Sequence, residues 1–199
     1  MRVIGITGGI GSGKSRVLSF MEERFGAIVC QADRVAWELQ EPGEKCYLAI
    51  TAHFGTGILH ADGTLDRASL GQIVFSKEEE LLALNEIMHP EVKQSIRKRI
   101  EEEEKKGTTL FVLEAALLIE EDYGEICDEL WYIYTSEPIR RQRLKESRGY
   151  SDAKINAIMA SQLSEEVFRR ECKRVIDNSD RFEETCAQIE AAIEQLGEK

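Results

Sequence analysis

The chain has 199 residues, of which 32% are charged, and its formal net charge at pH 7 is -11. This acidity argues against non-specific binding to nucleic acid or to anionic membranes, because both require a basic protein surface. The length suits one sizeable core with room for an inserted subdomain, and it is too short for two full domains of ordinary size. We therefore expect one globular unit over residues 1–199, in which local basic clusters bind anionic ligands.

The cysteines number five and include no CxxC spacing, which favours neither a zinc site nor a disulfide framework. They are typical of reduced thiols in a cytoplasmic protein. No apolar stretch approaches the length of a membrane span, and the N-terminus begins with a strand pattern rather than a secretion leader. These patterns predict a cytoplasmic protein with no membrane partner, and a monomer is the favoured state.

The first predicted element is a strand that leads into a glycine-rich loop and a helix. The apolar run from Val3 to Thr7 precedes GGIGSGKS at residues 8–15, which fits GxxxxGK[ST] without a mismatch. Backbone N–H groups in such a turn, at a helix N-terminus, form a concave positive site for a polyphosphate. Lys14 would then contact the β- and γ-phosphates of a bound nucleotide, and the Ser15 hydroxyl would bind Mg²⁺. A turn that only connects two elements is the less favoured alternative.

Nucleotide contacts are expected along the whole loop and at the residue after it: Gly8, Gly9, Ile10, Gly11, Ser12, Gly13, Lys14, Ser15 and Arg16.

The remaining strands and the helices between them follow in alternation. The next helix should end near Gly26, a suitable C-cap residue. Apolar, β-branched runs at 27–30, 110–114, 130–135 and 175–176 predict further strands. This alternation predicts a parallel sheet covered by helices.

The middle and the end of the chain have a different pattern. Between Pro42 and Phe75 the periodicity weakens and glycines separate short apolar pieces, which is typical of an insertion rather than of core sheet. A capping-box pattern at residues 76–79 predicts a helix start, and Pro90 suits the first turn of another helix. A last helix should close the core with one apolar side, formed by Phe182, Cys186, Ile189, Ile193 and Leu196.

Asp33 follows the second predicted strand, and ligands of open α/β sheets gather at the carboxyl ends of strands. Its carboxylate could therefore orient and deprotonate an acceptor hydroxyl. An Asp at this point would serve equally well as the N-cap of a helix that begins around Arg34. The residues alone leave both roles open.

Two further features suit a kinase. Glu114 ends the strand at 110–114, where P-loop proteins place an acid that acts on Mg²⁺ directly or through water, although a satisfied strand-end carboxylate is the alternative. Residues 140–148 concentrate positive charge in an acidic chain. Their guanidinium groups could close over transferring phosphates as a lid, with a solvated helix face as the less favoured interpretation.

The order of motifs along nearly the whole chain resembles that of the dephospho-coenzyme A kinase family. The matching segments are ITGGIGSGKS, ADRVAWELQEPG around Asp33, DGTLDRASLGQIVF at 62–75, His89-Pro90, ALLIE at 116–120, Arg143 and RVIDNS near the end. The resemblance implies an α/β fold. Its parts would be a P-loop NTPase core with a five-stranded parallel sheet and helices on both faces, an inserted acceptor subdomain at about 34–90 and a lid at about 137–160.

The resemblance also implies an activity. The protein would use ATP to phosphorylate the ribose 3′-hydroxyl of dephospho-coenzyme A, the last step in making coenzyme A. Asp33 takes the place of the family's catalytic base, and Arg143 matches its lid arginine, with Arg140 as a neighbouring phosphate contact. Asn178 falls in the loop that the family uses near the adenine ring. The expected catalytic residues are Lys14, Asp33 and Arg143, and the expected Mg²⁺ ligands are Ser15 and Glu114.

Two other functions stay open at this point. Another P-loop nucleoside or nucleotide kinase would need an acceptor site shaped for a base, which DGTLDR at 62–67 and His89-Pro90 do not resemble. A nucleotide-binding regulatory protein without transfer activity would suit Gln31 and Ala116, which stand where the family usually has an acid and a proline.

Overall fold

The computed structural model describes residues 1–197. Five strands and nine α-helices occur in this part of the chain. The strands are β1 (Arg2–Thr7), β2 (Ile28–Gln31), β3 (Leu110–Glu114), β4 (Glu129–Tyr134) and β5 (Arg174–Asp177). The helices are α1 (Lys14–Phe25), α2 (Ala32–Glu38), α3 (Lys45–Phe54), α4 (Arg67–Ser76), α5 (Glu78–Lys105), α6 (Glu137–Arg148), α7 (Asp152–Ala160), α8 (Glu165–Glu171) and α9 (Phe182–Gly197).

The strands form one sheet in the order β2-β3-β1-β4-β5. The pairs of β1 with β3, β1 with β4, and β4 with β5 are all parallel, with Ile4 opposite Val112 and Ile133 opposite Ile176. Parallel strands need crossover connections, and helices supply them here. The prediction of a parallel five-stranded α/β core is confirmed.

The chain divides into two compact units. One consists of Met1–Val29 and the chain from Lys106 onward, and the other is Cys30–Lys105. The expected acceptor subdomain, about 34–90, lies within the second unit. The organisation as one kinase domain with this subdomain and a lid stays a prediction.

In the first unit, the sheet is covered by helices on two sides. Trp131 and Ile133 of β4 pack with α1 and α9 in a cluster that includes Met21 and Ile189. Tyr132, which alternates with them along the strand, belongs to a different cluster with Phe168 of α8 and Cys172. The closing helix predicted for the C-terminus is confirmed as α9, and α1 ends at Gly26 as expected.

The second unit is mostly helical. The stretch predicted to be an insertion contains α3, a short 3-10 helix at Thr56–Ile58 and α4. The long helix α5 contacts α2, α3 and α4, and an ion pair between Lys45 and Glu91 joins α3 to α5 at 2.9 Å. The buried side of α5 includes Met88, Val92 and Ile96.

One predicted helix start in this unit is confirmed and one is wrong. Helix α5 begins at Glu78, within the predicted capping-box residues 76–79, although Ser76 is not its N-cap. Ser76 is the last residue of α4, where its hydroxyl donates to the carbonyl of Ile73, and Lys77 separates the two helices in an extended conformation. The carbonyl of Lys77 accepts the first hydrogen bonds of α5. Pro90 lies inside α5 instead of starting a helix, because burial of apolar residues on both sides of it outweighs one lost backbone hydrogen bond.

All five cysteines have free thiols. Among the described residues, none of the helices combines the length and the apolar character that crossing a bilayer requires.

Candidate active site

The glycine-rich loop connects the end of β1 to the start of α1, as predicted. Gly8 and Gly13 have positive φ angles of 154° and 84°. A Cβ atom at Gly8 would lie 2.6 Å from the carbonyl oxygen of Ile133, and one at Gly13 would lie 2.4 Å from the side-chain nitrogen of Asn178. Only glycine fits both the backbone conformation and the available space at these positions.

A cavity of about 420 Å³ opens at this loop. Its lining consists of residues 9–15 together with Glu114, Arg143, Leu144, Ser147 and Arg148. The N-terminus of the 12-residue helix α1 lies in the same wall. Backbone N–H groups at a helix start and nearby cations favour an anion, so the cavity is suited to phosphate groups.

Lys14 and Glu114 place opposite charges in the cavity wall. The ammonium of Lys14 donates to the carbonyl of Gly8 at 2.7 Å, and its nitrogen lies 3.7 Å from Oε1 of Glu114. Both side chains are largely buried, with exposed fractions of 17% and 12%. The exposed hydroxyl residue Ser15 lines the same cavity. The predicted phosphate contact and both predicted magnesium ligands are therefore brought together.

Arg143 is held at the cavity by groups that follow two strands. Its Nη2 donates to the carbonyl of Asn178 at 2.9 Å, and its Nη1 donates to Oγ1 of Thr135 at 3.4 Å. Thr135 follows β4 and Asn178 follows β5, so the carboxyl ends of two strands fix the guanidinium. Arg148, which also lines the cavity, is the second cation of α6 at this point.

Asn178 is hydrogen-bonded to the backbone of the loop. Its side chain is buried, donates from Nδ2 to the carbonyl of Ser12 at 2.7 Å, and accepts from the hydroxyl of Thr185 at 3.1 Å. The hydroxyl of Thr135 also donates to the carbonyl of Ser12, at 3.0 Å. The side chain of Asn178 is thus bonded to the loop backbone and to α9, and Asn178 does not line the cavity.

Two buried hydroxyl groups near the loop have no hydrogen-bond partner within residues 1–197. They are Oγ1 of Thr7, at the end of β1, and Oγ of Ser12, within the loop. Both residues are almost completely buried, with exposed fractions of 0% and 1%. Most buried hydroxyls in proteins have a hydrogen-bond partner, so these two differ from the other buried polar groups near the loop, such as Asn178.

Arg140 and Arg16 lie outside the cavity lining. Arg140 is partly buried and donates from Nε to the carbonyl of Ile10 at 2.9 Å and from Nη2 to Oε1 of Gln162 at 2.8 Å. Burial lowers the pKa of its guanidinium. Arg16 is exposed, and its guanidinium lies 3.8 Å from the ring centroid of Phe182 in α9.

Asp33 belongs to the second unit, where it is an exposed residue in the first turn of α2. Its alternative role as an N-cap is wrong. The helix begins at Ala32, two residues before the expected start at Arg34, and Gln31 occupies the N-cap position. A carboxylate in a first turn still interacts favourably with the helix dipole.

Three residues that contact the loop or its supports are not predicted from the sequence: Thr135, Gln162 and Thr185. Thr135 had a usable signal, because it is the last residue of a predicted strand, and ligand-binding residues gather at such strand ends. The other two lie in segments without a motif.

Comparisons with known proteins identify the family of the chain. A sequence model of the Dephospho-CoA kinase family matches residues 2–184. A relative from Carboxydothermus hydrogenoformans, named dephospho-CoA kinase, is 41% identical over 187 residues, which are 94% of this chain and 90% of the relative. A relative of the same name from Halalkalibacterium halodurans is 41% identical over 189 residues, with 94% and 92% of the two chains covered.

Solved structures share the fold. A crystal structure from Thermus thermophilus has a TM-score of 0.80 at 28% identity and covers 98% of this chain and 97% of its own. Dephospho-CoA kinase from Campylobacter jejuni has a TM-score of 0.73 at 23% identity, with 99% and 100% covered, and supports the fold alone. Shikimate kinase from Acinetobacter baumannii, with a TM-score of 0.54 at 14% identity over 98% and 92% of the two chains, does the same. The chain has a P-loop kinase fold and belongs to the dephospho-CoA kinase family.

Proposed function

We propose that this protein transfers the γ-phosphoryl group of ATP to the ribose 3′-hydroxyl of dephospho-coenzyme A, giving coenzyme A and ADP. The observation that carries the proposal is the cavity at residues 9–15, with its lysine and arginines, in a chain of this family. Phosphoryl transfer needs positioning and charge stabilisation more than covalent catalysis, and a cavity of this kind supplies both.

The donor side of the reaction is assigned to the first unit. Backbone N–H groups of the loop bind the phosphates at the start of α1, and Lys14 neutralises the β- and γ-phosphates. Arg143 stabilises the charge that develops on the transferred group. We assign the second cationic role on α6 to Arg148, because it lines the cavity and Arg140 does not.

The residues present also fit a magnesium ion that enters with the nucleotide. Within residues 1–197, no group of three or more His, Cys, Asp or Glu side chains could hold a metal ion. Mg²⁺ usually takes only one or two protein ligands besides water and phosphate, and Ser15 and Glu114 offer such oxygen atoms in the cavity wall. Ser15 would bind the ion directly and Glu114 through water. The bound ion would neutralise phosphate charge.

The acceptor side is assigned to Asp33. Its carboxylate is exposed, so it is accessible to a substrate hydroxyl. It would orient that hydroxyl for in-line attack and accept its proton as the bond to phosphorus forms.

A coupled assay of ADP release tests the proposal, with dephospho-coenzyme A compared against a panel of nucleosides and nucleoside monophosphates. We expect release only with dephospho-coenzyme A, and mass spectrometry should show a product phosphorylated on the ribose. Lys14→Met should reduce the rate at least about a hundredfold. Lys105→Met, which removes an exposed lysine at the end of α5, is the matched control.

Other outcomes would identify the rival functions. Release with a nucleoside would indicate a nucleoside kinase, and release without any acceptor would indicate a simple NTPase. ATP binding without release would favour the regulatory protein. The cytoplasmic location and the monomeric state stay predictions.

A further inference from the structure

Two side chains outside the cavity hold one residue of the phosphate loop by both of its backbone polar groups. The N–H of Ile10 donates to Oε1 of Gln162 at 3.2 Å, and the carbonyl of Ile10 accepts from Nε of Arg140 at 2.9 Å. The two side chains are also bonded to each other, because Nη2 of Arg140 donates to the same Oε1 at 2.8 Å. The three residues form a closed ring of hydrogen bonds, which we call the Ile10 clamp.

The clamp lies against the loop but not in the cavity. Arg143 and Arg148 line the cavity, whereas Arg140 and Gln162 do not. The guanidinium of Arg140 lies against Gly9, where an added Cβ would be 2.3 Å from Nη2. A side chain at position 9 would therefore push Arg140 off the loop.

We propose that Gln162 is a positioning residue of the phosphate loop, and that Arg140 serves the Ile10 clamp instead of contacting phosphate. Gln162 comes from the segment between α7 and α8, so the clamp ties that segment and α6 to the loop. The part of the proposal that concerns ATP rests on the proposed function. The part that concerns the conformation of the empty loop does not.

The physical reason is preorganisation. A loop that binds phosphate through its backbone must hold its N–H groups in place before the ligand arrives, or binding must pay for ordering them. A single oxygen of Gln162 accepts two of the three bonds in the clamp, so removing that oxygen leaves both Ile10 and Arg140 less ordered.

Amide hydrogen exchange in the nucleotide-free protein tests the clamp directly. Gln162→Met keeps the length of the side chain and removes the acceptor, and we expect the Ile10 amide to exchange about tenfold faster. Gln162→Glu keeps an acceptor oxygen and should retain protection. Gln142→Met is the control, because Gln142 is an exposed residue of α6 whose amide donates to Glu146.

An unchanged exchange rate at Ile10 in Gln162→Met would overturn the clamp, as would equal loss of protection in Gln162→Glu. General loss of protection across β1 and α1 would also overturn it, because that pattern would show a purely structural role. The exchange measurements need no substrate, so their outcome does not depend on which reaction the protein catalyses.

A double-mutant cycle then separates a clamp from a phosphate contact. Arg140→Met and Gln162→Met should each weaken ATP binding about tenfold, and the double variant should be no weaker than the worse single variant. If Arg140 contacts phosphate independently of Gln162, the two losses will multiply to about a hundredfold, and the proposal fails.

Discussion

At the edge of the sheet where the strands begin, Glu129 is buried and accepts hydrogen bonds from Lys173, Arg174 and Trp131. At the edge where the strands end, the hydroxyls of Thr7 and Ser12 are also buried, but they have no hydrogen-bond partner among the described residues. The buried polar groups at the two ends of the strands therefore differ in their hydrogen bonding.

This difference distinguishes polar groups that stabilise the fold from polar groups that lie at the phosphate loop. Polar groups that are fully satisfied by the protein fix the fold, and Glu129 joins β4 to residues 173 and 174 at the start of β5 in this way. The loop at residues 8–15 instead presents a helix N-terminus and cations to the cavity, which favours ligand binding. Substitutions near residues 8–15 should therefore mainly lower activity, and substitutions at Glu129 should mainly lower the free energy of unfolding.

The largest effect is expected at Asp33, which follows the carboxyl end of β2. Asp33→Asn removes the proposed base and should lower turnover about 10²- to 10⁴-fold, because general base catalysis contributes on that scale. The KM for ATP should change less than about twofold, since no donor contact is assigned to this residue. Steady-state kinetics with each substrate varied in turn would measure both quantities.

Glu41→Gln is the matched control for Asp33, because it also removes one exposed carboxylate from the second unit. Its turnover should equal that of the unmodified protein. Near-normal turnover in Asp33→Asn would refute the assignment of the base.

The next effect concerns the opposite edge of the sheet and acid stability. Burial alone would raise the pKa of Glu129, but hydrogen bonds from Lys173, Arg174 and Trp131 outweigh it and lower the pKa to about 2. A carboxylate whose pKa is lowered by folding stabilises the protein above its unfolded pKa, about 4.5, and this stabilisation disappears as the pH falls towards 2. Glu129→Gln should therefore cost on the order of 3 kcal/mol of unfolding free energy at pH 7.

Urea unfolding at several pH values would measure this effect. The difference between the two proteins should stay constant above about pH 5 and should have shrunk by about 1 kcal/mol at about pH 3.5. Glu194→Gln, at an exposed position of α9, should change the unfolding free energy by less than about 0.5 kcal/mol. A Glu129→Gln difference that does not depend on pH would contradict the linkage, and weaker ATP binding in that variant would contradict the separation of the two edges.

The phosphate loop is predictable from eight consecutive residues because its chemistry is local. The strands are predictable for a related reason, since β-branched runs of four to six residues are typical of buried parallel strands. The groups that support the loop are not local. Gln162 is 152 positions from Ile10, and Thr135 is 123 positions from Ser12, so their contacts depend on the tertiary fold.

The wrong helix start at Pro90 has the same origin. Proline is a local signal of a helix start, and packing overrides it here. A proline inside a helix costs about 3 kcal/mol, whereas each fully buried apolar side chain returns about 1.5–3 kcal/mol. With Met88, Val92 and Ile96 buried on α5, one continuous helix is the more stable result.

The smallest of these effects tests whether support from Asn178 fixes the shape of the loop. Gly13 and Gly107 have almost the same positive φ, 84° and 83°, so an alanine at either position costs similar backbone strain, about 1 kcal/mol. Their surroundings differ, because a Cβ at Gly13 would lie 2.4 Å from Nδ2 of Asn178, whereas a Cβ at Gly107 would meet nothing within 4 Å.

Backbone strain should lower the melting temperature of both alanine variants by a similar amount. Only Gly13→Ala should displace the amide that holds the carbonyl of Ser12, and calorimetry should show ATP binding weakened about tenfold. Equal ATP affinity in the two variants would mean that the loop keeps its binding geometry without Asn178, and the edge at residues 8–15 would then be less preorganised than its contacts indicate.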